Sequence, residues 1–183
     1  LPKTFNPVKF DPQKWADAAK YAGMKYFVFT TKHHDGFALH DSKVSEYDAG
    51  TVLQRDLVKE IVDACRLAGL RVGFYHSVID WHHPDFPIDV HHPLRNREDT
   101  AELNKNRDMS KYAEYMRNQV RELLTKFGTI DVLWFDFSYP PNKHGNGPDW
   151  IGKGADDWDS PALYKLVRQL QPNVVLNDRL DMD

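Results

Sequence analysis

The stretch Val132-Leu133-Trp134-Phe135-Asp136 decides the fold class of this chain of 183 residues. Apolar, β-branched and aromatic residues follow one another without a break, which is typical of a buried strand, and Tyr139, Pro140 and Pro141 soon end regular structure. The stretch ends on a carboxylate, which is costly to bury unless it is paired. In a parallel α/β barrel this position would place Asp136 in the active site, whereas the alternative is an Asp that caps the next turn.

Alternating helix and strand patterns extend from this stretch in both directions. The predicted helices carry apolar residues at three- and four-residue spacing, and the predicted strands are short apolar runs. The helices are expected at residues 10–21, 55–68, 110–127 and 160–170, and the strands at 25–31, 70–76, 132–136 and 174–176. Alternation at this spacing predicts right-handed βαβ units and a parallel sheet. We therefore predict an α/β fold with a single domain over residues 1–183.

Four βα units are half of an eight-fold barrel, and the loops favour that architecture over an isolated four-stranded sheet. The polar residues follow strands and precede helices, which is the side where barrels bind ligands, and two of these loops are long. The sequence therefore predicts a (β/α)8-like barrel of which this chain supplies about four units. The apolar run Tyr26-Phe27-Val28-Phe29 also predicts strands covered on both faces, and residues 145–159 are predicted as a loop.

The composition gives no indication of a nucleic-acid or membrane partner. The net charge is -3 and the pI is near 6.3, so no basic surface is expected, and no apolar run is long enough to span a membrane. The one cysteine, Cys65, can form no internal disulfide and fits a small core residue. These features leave the compartment open.

Histidines are prominent after the first predicted strand, where His33 and His34 lie in the loop Lys32-His33-His34-Asp35-Gly36-Phe37. A loop could turn both rings into one pocket, where neutral imidazoles would hydrogen-bond hydroxyl groups. The alternative is a pair of solvated loop residues. A metal site is a third interpretation, because His82-His83 and His91-His92 repeat the pair, but neither His-X-His nor His-Glu-X-X-His occurs. We therefore expect no metal and no cofactor.

Carboxylates, imidazoles and indoles near strand ends remain once phosphate loops, serine nucleophile elbows and cysteine metal spacings have been excluded. This inventory fits a sugar site, where His, Asp and Arg bind hydroxyls and a ring face rests on Trp. Glycosidases typically use two carboxyls that flank the scissile bond. Asp136 is a candidate for one of them. The second is not evident from the sequence, and Asp80 is one residue considered for it.

Motifs at four places give the chain a resemblance to the α-L-fucosidases of glycoside hydrolase family 29. They are Lys32-His33-His34-Asp35-Gly36-Phe37, Gly73-Phe74-Tyr75-His76-Ser77 with Asp80-Trp81, Trp134-Phe135-Asp136, and Asn177-Asp178-Arg179. The first motif is the most specific. The opening Phe5-Asn6-Pro7 and the entry Ala22-Gly23-Met24-Lys25-Tyr26 to the first strand are similar as well, so the resemblance covers almost the whole chain.

The resemblance implies a (β/α)8-like barrel and a retaining mechanism without a metal. Asp136 matches the catalytic nucleophile of the family. The implied substrate-binding residues are His33, His34, Tyr75, His76, Trp81 and Arg179. Either Tyr75 or His76 matches a sugar-contacting position, and the sequence leaves open which of the two. Arg179 matches an arginine near the nucleophile and is expected to lower the pKa of Asp136.

The resemblance also implies parts of the barrel outside this segment. The family has a further histidine ahead of it and a general acid/base beyond the Asn-Asp-Arg motif, so the chain is expected to be the central part of a fucosidase barrel. Three functions follow as hypotheses. The chain is a retaining exo-α-L-fucosidase acting on a fucosylated glycan or fucoside, or a module that binds fucose without cleaving it, or a half-barrel whose open edges associate with a second copy as a homo-oligomer.

Overall fold

Four parallel strands form a single sheet in the order β1-β2-β3-β4. The computed structural model describes residues 4–141, 143 and 152–182. The strands are β1 Tyr26–Lys32, β2 Arg71–Ser77, β3 Val132–Asp136 and β4 Val175–Leu176. In the register, Phe29 pairs with Phe74, Phe74 with Leu133, and Leu133 with Leu176. The predicted α/β fold with a parallel sheet is therefore confirmed, whereas closure into an eight-fold barrel stays a prediction.

Long helices alternate with the strands, and each has an Asp immediately before its first residue. The helices are α1 Pro12–Tyr21, α2 Ala49–Leu53, α3 Leu57–Leu67, α4 Thr100–Asn104, α5 Met109–Lys126, α6 Ala155–Trp158 and α7 Ser160–Leu170. The carboxylates of Asp11, Asp56 and Asp108 cap α1, α3 and α5 by accepting hydrogen bonds from main-chain N–H groups of the first turn. These caps fix where each helix leaves its loop, and so they define the loops that follow the strands.

The helices cover one face of the sheet. Phe74, Leu133 and Phe135 are fully buried on that face, within a core that α3, α5 and α7 complete. On the opposite face Trp134 is 44% exposed and Tyr26 is 55% exposed. We name this surface the open face; its exposed apolar residues are Tyr26, Val28, Trp134 and Val175. The prediction of strands covered on both faces is wrong for the part of the chain that the structure describes, because the described helices pack against one face and leave the other exposed.

Gly73 lies in the middle of the open face, where the valine side chains of the two neighbouring strands leave no room for a Cβ. A Cβ at this position would lie 2.9 Å from Val28 Cγ2 and 2.9 Å from Val132 Cβ. The glycine therefore allows the two valines of the neighbouring strands to meet across β2.

Three short helices were not predicted. Helices α2 and α4 have five residues each and α6 has four, which is too short for a helical period to be visible in the sequence. The predicted loop 145–159 is thus interrupted by α6 at its end, and its residues 145–151 lie outside the described part of the chain. Among the described residues, no helix is both long and apolar enough to cross a membrane.

Candidate active site

The carboxyl ends of β1, β2 and β3 bring four polar side chains of the predicted site together. Asp136 is the last residue of β3, Tyr75 lies near the end of β2, and His33 and His34 follow β1 directly. Parallel strands end at the same edge of a sheet, which is why residues more than a hundred positions apart in the sequence meet here. The edge also faces the long loops after β1 and β2.

Asp136 and Tyr75 are joined by a hydrogen bond. The Tyr75 hydroxyl donates to Asp136 Oδ2 at 2.7 Å, and both side chains are half-buried. Burial and this bond to a carboxylate raise the pKa of Tyr75 above its ordinary value, so the phenol stays protonated and remains a donor. No side chain among residues 4–141, 143 and 152–182 hydrogen-bonds the other oxygen, Oδ1, of Asp136.

The two histidines form a small stack beside this pair. The His33 ring lies parallel to the Tyr75 ring, with centroids 5.7 Å apart and planes 9° apart, and the His33 and His34 centroids are 4.2 Å apart. His34 Nδ1 lies 2.5 Å from the Ser77 hydroxyl at the end of β2. His33 is exposed whereas His34 is half-buried. Because His33 contacts Tyr75 and His34 contacts Ser77, the loop turns both rings toward the end of β2.

His34 is held in its neutral form. Burial, together with the neighbouring His33, lowers the pKa of His34 to about 4, although Asp136 opposes the shift. Near neutral pH the ring therefore has one N–H donor and one acceptor nitrogen, which suits it to bind a hydroxyl group.

This lowered pKa predicts a pH dependence of stability. The unfolded chain binds a proton at His34 near its ordinary pKa of 6.5, whereas the folded chain does so only near 4, so stability is lost as the pH falls between these values. We expect His34→Gln to be less sensitive to acid than the wild type over this window. Urea unfolding of both proteins at pH 7 and pH 4.5 measures the effect. An equal loss of unfolding free energy in both would contradict the assignment.

Aromatic side chains border the histidines. The rings of Trp81 and Phe137 approach the His34 ring edge-on, with centroids 5.3 and 5.6 Å away. Phe137 directly follows Asp136 and has a φ of 83°, which a bulky residue rarely adopts. Its ring also contacts that of His91, at 5.0 Å. The strained turn at Phe137 therefore places an apolar ring, rather than a continued strand, next to the carboxylate.

A buried ion pair joins the end of β1 to the loop after β2. Lys32 Nζ lies 3.3 Å from Asp80 Oδ2, and the side chains of both residues are almost completely buried, with exposed fractions of 0% and 2%. Asp80 Oδ1 also accepts hydrogen bonds from the main-chain N–H groups of His82 and His83. Asp80, considered from the sequence as a second catalytic carboxyl, is therefore engaged in holding the loop after β2 and is not free to act on a substrate.

Gly36 allows the loop after β1 to pass over this ion pair. A Cβ at Gly36 would lie 2.1 Å from Asp80 Oδ1, and its φ of +82° is one that glycine adopts without strain. The main-chain N–H of Trp81 then donates to the carbonyl of His34 at 2.8 Å. The most specific motif of the sequence thus owes its shape to Asp80 and Gly36 as much as to its histidines.

Two of the predicted site residues are not brought to this cluster. His76 is completely buried on the helix-facing side of β2, where its Nδ1 lies 2.9 Å from the Thr31 hydroxyl. Because neighbouring strand residues point to opposite faces, only Tyr75 reaches Asp136. Between the two residues that the sequence left open, we therefore keep Tyr75 in the candidate site and remove His76.

Arg179 is exposed, and the structure does not bring its guanidinium to Asp136. The contact it makes is through its carbonyl, which accepts a hydrogen bond from the Ser138 hydroxyl at 2.5 Å. Within the described ranges, no ion pair joins Arg179 to Asp136. The expected interaction between the arginine and the nucleophile is therefore not seen, and a hydrogen bond from Tyr75 occupies Asp136 instead.

Sequence reasoning missed Ser77 and Asn177 as site-forming residues. Asn177 continues the pairing of β4 with β3 through its side chain, since its Oδ1 accepts from Phe135 N at 3.0 Å and its Nδ2 donates to Phe135 O at 2.7 Å. This amide holds the main chain next to Asp136. The position of Asn177 directly after a predicted strand was a signal for such a role.

In the described part of the chain, no three His, Cys, Asp or Glu side chains are grouped to hold a metal ion.

Comparisons with known proteins give consistent matches. The sequence model of one family, described as Alpha-L-fucosidase, matches residues 1–183. Alpha-L-fucosidase 1 of Arabidopsis thaliana is 31% identical over 179 residues, which are 96% of this chain and 29% of that protein. Tissue alpha-L-fucosidase of Rattus norvegicus is 41% identical over 175 residues, which are 93% of this chain and 32% of that protein.

Solved structures agree with these matches. Alpha-L-fucosidase isoenzyme 1 from Paenibacillus thiaminolyticus superposes with a TM-score of 0.85 at 50% identity, over 98% of this chain and 40% of that chain. An alpha-L-fucosidase from Lactobacillus casei in complex with alpha-L-fucose product gives a TM-score of 0.75 at 31% identity, over 96% of this chain and 53% of that chain. This chain thus spans less than a third of the length of the two curated relatives.

Proposed function

Because this chain belongs to the alpha-L-fucosidase family of glycoside hydrolases, we propose that it supplies the nucleophile side of an active site that removes terminal α-L-fucose with retention of configuration. The observation that carries the proposal is the cluster of Asp136, Tyr75, His33 and His34 at the carboxyl ends of neighbouring strands. In this proposal the sheet is part of a (β/α)8-like barrel.

Asp136 acts as the nucleophile. Its Oδ1 attacks the anomeric carbon of fucose, the glycosidic bond breaks, and a covalent fucosyl-enzyme forms. A carboxylic acid about 5–5.5 Å away protonates the departing oxygen and then activates the water that releases fucose. The Tyr75 hydroxyl donates a hydrogen bond to Oδ2 and so orients the carboxylate for the attack.

The remaining side chains of the cluster bind the sugar. His33 and neutral His34 present ring nitrogens to the hydroxyl groups of fucose, and the faces or edges of Trp81 and Phe137 enclose its apolar side. Carboxylate, imidazole and aromatic side chains lie together at the carboxyl-terminal edge of the sheet. This combination suits the binding of a neutral sugar ring that has several hydroxyl groups and one apolar patch.

The stereochemistry of the first product tests the proposal. Proton NMR during hydrolysis of an aryl α-L-fucoside should show α-L-fucose first, followed by slow mutarotation to the β anomer. Release of β-L-fucose as the first product would indicate an inverting mechanism and would remove the nucleophile role from Asp136. The reaction is to be followed with this chain and with any longer protein that contains it.

A second candidate function is a half-barrel that binds fucose or associates with a copy of itself without turnover. The open face favours it, because four large apolar side chains are exposed together there, with Val175 64% exposed beside Trp134 at 44%. Isothermal calorimetry separates the two candidates, since binding of fucose without hydrolysis of the fucoside supports the second. If neither binding nor hydrolysis is found, the fucosidase and the fucose-binding half-barrel are both contradicted, and only self-association remains to be tested by light scattering.

We expect this chain to self-associate through the open face. Trp134→Ser should shift the protein toward monomer, because it removes the largest exposed apolar side chain of β3, one of the two inner strands of the sheet. The matched control is Leu67→Ser, which removes a side chain that is 79% exposed at the end of α3, away from the sheet. Light scattering over a range of concentrations makes the comparison. A monodisperse wild-type monomer, or equal effects of both variants, would contradict the expectation.

A further inference from the structure

Ser77 is buried at the end of β2 and makes three polar contacts with its single hydroxyl group. Its Oγ lies 2.9 Å from the carbonyl oxygen of Ile79, 3.0 Å from the N–H of Ile79, and 2.5 Å from Nδ1 of His34. The N–H can only donate and the carbonyl can only accept. The one proton of the hydroxyl must therefore go either to the Ile79 carbonyl or to His34.

The need of the Ile79 carbonyl for a donor determines whether the Ser77 hydroxyl donates its hydrogen bond to this carbonyl or to His34. Ile79 is 1% exposed, and within the described ranges the Ser77 hydroxyl is the donor found for its carbonyl oxygen. A buried carbonyl without a donor is unfavourable, whereas an imidazole can carry its proton on either nitrogen. Every group is paired when the Ser77 hydroxyl donates its hydrogen bond to the Ile79 carbonyl oxygen. His34 then carries its proton on Nδ1 and donates it to the Ser77 oxygen.

We infer that Ser77 is a positioning residue that fixes His34 as the Nδ1–H tautomer and so leaves Nε2 as a bare acceptor at the sugar site. This inference rests on the proposed function, in which His34 binds a fucose hydroxyl. Since His34 has a pKa of about 4, its ring is neutral at working pH and the tautomer decides what it offers. An acceptor nitrogen selects a hydroxyl that donates its proton.

The tautomer can be observed without any activity. In protein labelled with ¹⁵N-histidine at pH 7, a long-range ¹H–¹⁵N spectrum distinguishes protonated from unprotonated ring nitrogens, and His34→Gln identifies the His34 signals. We expect Nδ1 of His34 in the protonated range and Nε2 in the unprotonated range. Ser77→Ala should make Nε2–H the major form, because the acceptor that favours Nδ1–H has been removed.

Thr31→Val is the matched control for this experiment. The Thr31 hydroxyl lies 2.9 Å from Nδ1 of buried His76, on the opposite side of β2, so the pair repeats the geometry of Ser77 and His34 outside the site. This variant should shift the His76 signals and leave those of His34 in place. If Ser77→Ala does not fold, the wild-type spectrum alone decides. A wild-type His34 protonated at Nε2, or an unchanged tautomer in a folded Ser77→Ala, would overturn the inference.

A second measurement links the tautomer to the sugar. Paired deoxy- and fluoro-fucoses, each altered at one hydroxyl, report whether a hydroxyl donates or accepts, because fluorine can only accept. In the wild type, fluorine should bind no better than hydrogen at the position facing His34, whereas in Ser77→Ala the fluoro sugar should gain on the order of tenfold relative to the deoxy sugar. No such gain at any position would overturn the link to the substrate. Absence of all fucose binding with the expected tautomer in place would instead refute the proposed function.

Discussion

Asp136→Ala should lower the turnover of an aryl α-L-fucoside by at least about a thousandfold, because the covalent fucosyl-enzyme can no longer form. The protein should still fold, since the side chain is half-buried and bonded only to the Tyr75 hydroxyl among the described residues. Fucose affinity should fall far less than turnover. The measurement is steady-state kinetics of both proteins with a substrate whose leaving group needs no protonation.

Azide provides a positive test of the same variant. In the space left by the carboxylate, azide can attack the anomeric carbon from the opposite side to the leaving group, which forms a C–N bond and gives β-L-fucosyl azide. The matched control is Asp131→Asn, at the other end of the same strand, where Asp131 Oδ2 accepts from Val72 N at 2.9 Å and an amide oxygen can do the same. Full activity of Asp136→Ala without azide, or an equal loss in Asp131→Asn, would contradict the nucleophile role.

Asp80→Ala should reduce the free energy of unfolding by about 3–5 kcal/mol, because it leaves the Lys32 ammonium buried without its partner. The loss also removes the acceptor for two main-chain N–H groups of the following loop. The two tyrosine rings near Lys32, with centroids 5.8 and 5.6 Å from Nζ, offset only a part of this cost. Chemical denaturation at pH 7 measures the change.

The controls for Asp80→Ala use a solvated pair and a second substitution. Asp63→Ala breaks the Lys59–Asp63 pair on α3, whose side chains are 61% and 59% exposed, and it should change stability by less than about 1 kcal/mol. Adding Lys32→Met to Asp80→Ala should restore part of the lost stability, since the uncompensated charge disappears. Equal destabilisation by Asp63→Ala and Asp80→Ala would show that burial of the pair is not the cause.

The sequence predicted the strands, the long helices and the parallel sheet, because apolar periodicity and the Gly and Pro signals depend on local residues. It predicted the meeting of Asp136 with His33 and His34 only through the parallel-sheet rule and the family resemblance. The sequence could not predict to which face of the sheet an individual side chain points. The choice of Tyr75 over His76 depends on which strand face receives the helices, and that is a property of the whole packing.

The role of Asp80 was also beyond sequence reasoning. A carboxyl after a strand fits a catalytic acid and a buried anchor equally well, and only the position of Lys32 on the neighbouring strand decides between them. For Arg179 the sequence suggested a role in the site that the structure does not show. Its motif suggested a partner for Asp136, but its side chain is exposed and Ser138 holds its carbonyl instead.

Trapping of the covalent intermediate tests the central claim most directly. A 2-deoxy-2-fluoro-α-L-fucosyl fluoride should react with the active protein, lose the anomeric fluoride and leave one 2-fluorofucosyl group. The fluorine at C2 slows both attachment and release of the sugar, but the anomeric fluoride is a good leaving group and keeps attachment faster than release. Peptide mass spectrometry after proteolysis should find that group on Asp136. Attachment to a different carboxylate, or steady turnover of the fluoride without any labelled peptide, would contradict the assignment of Asp136 as the nucleophile.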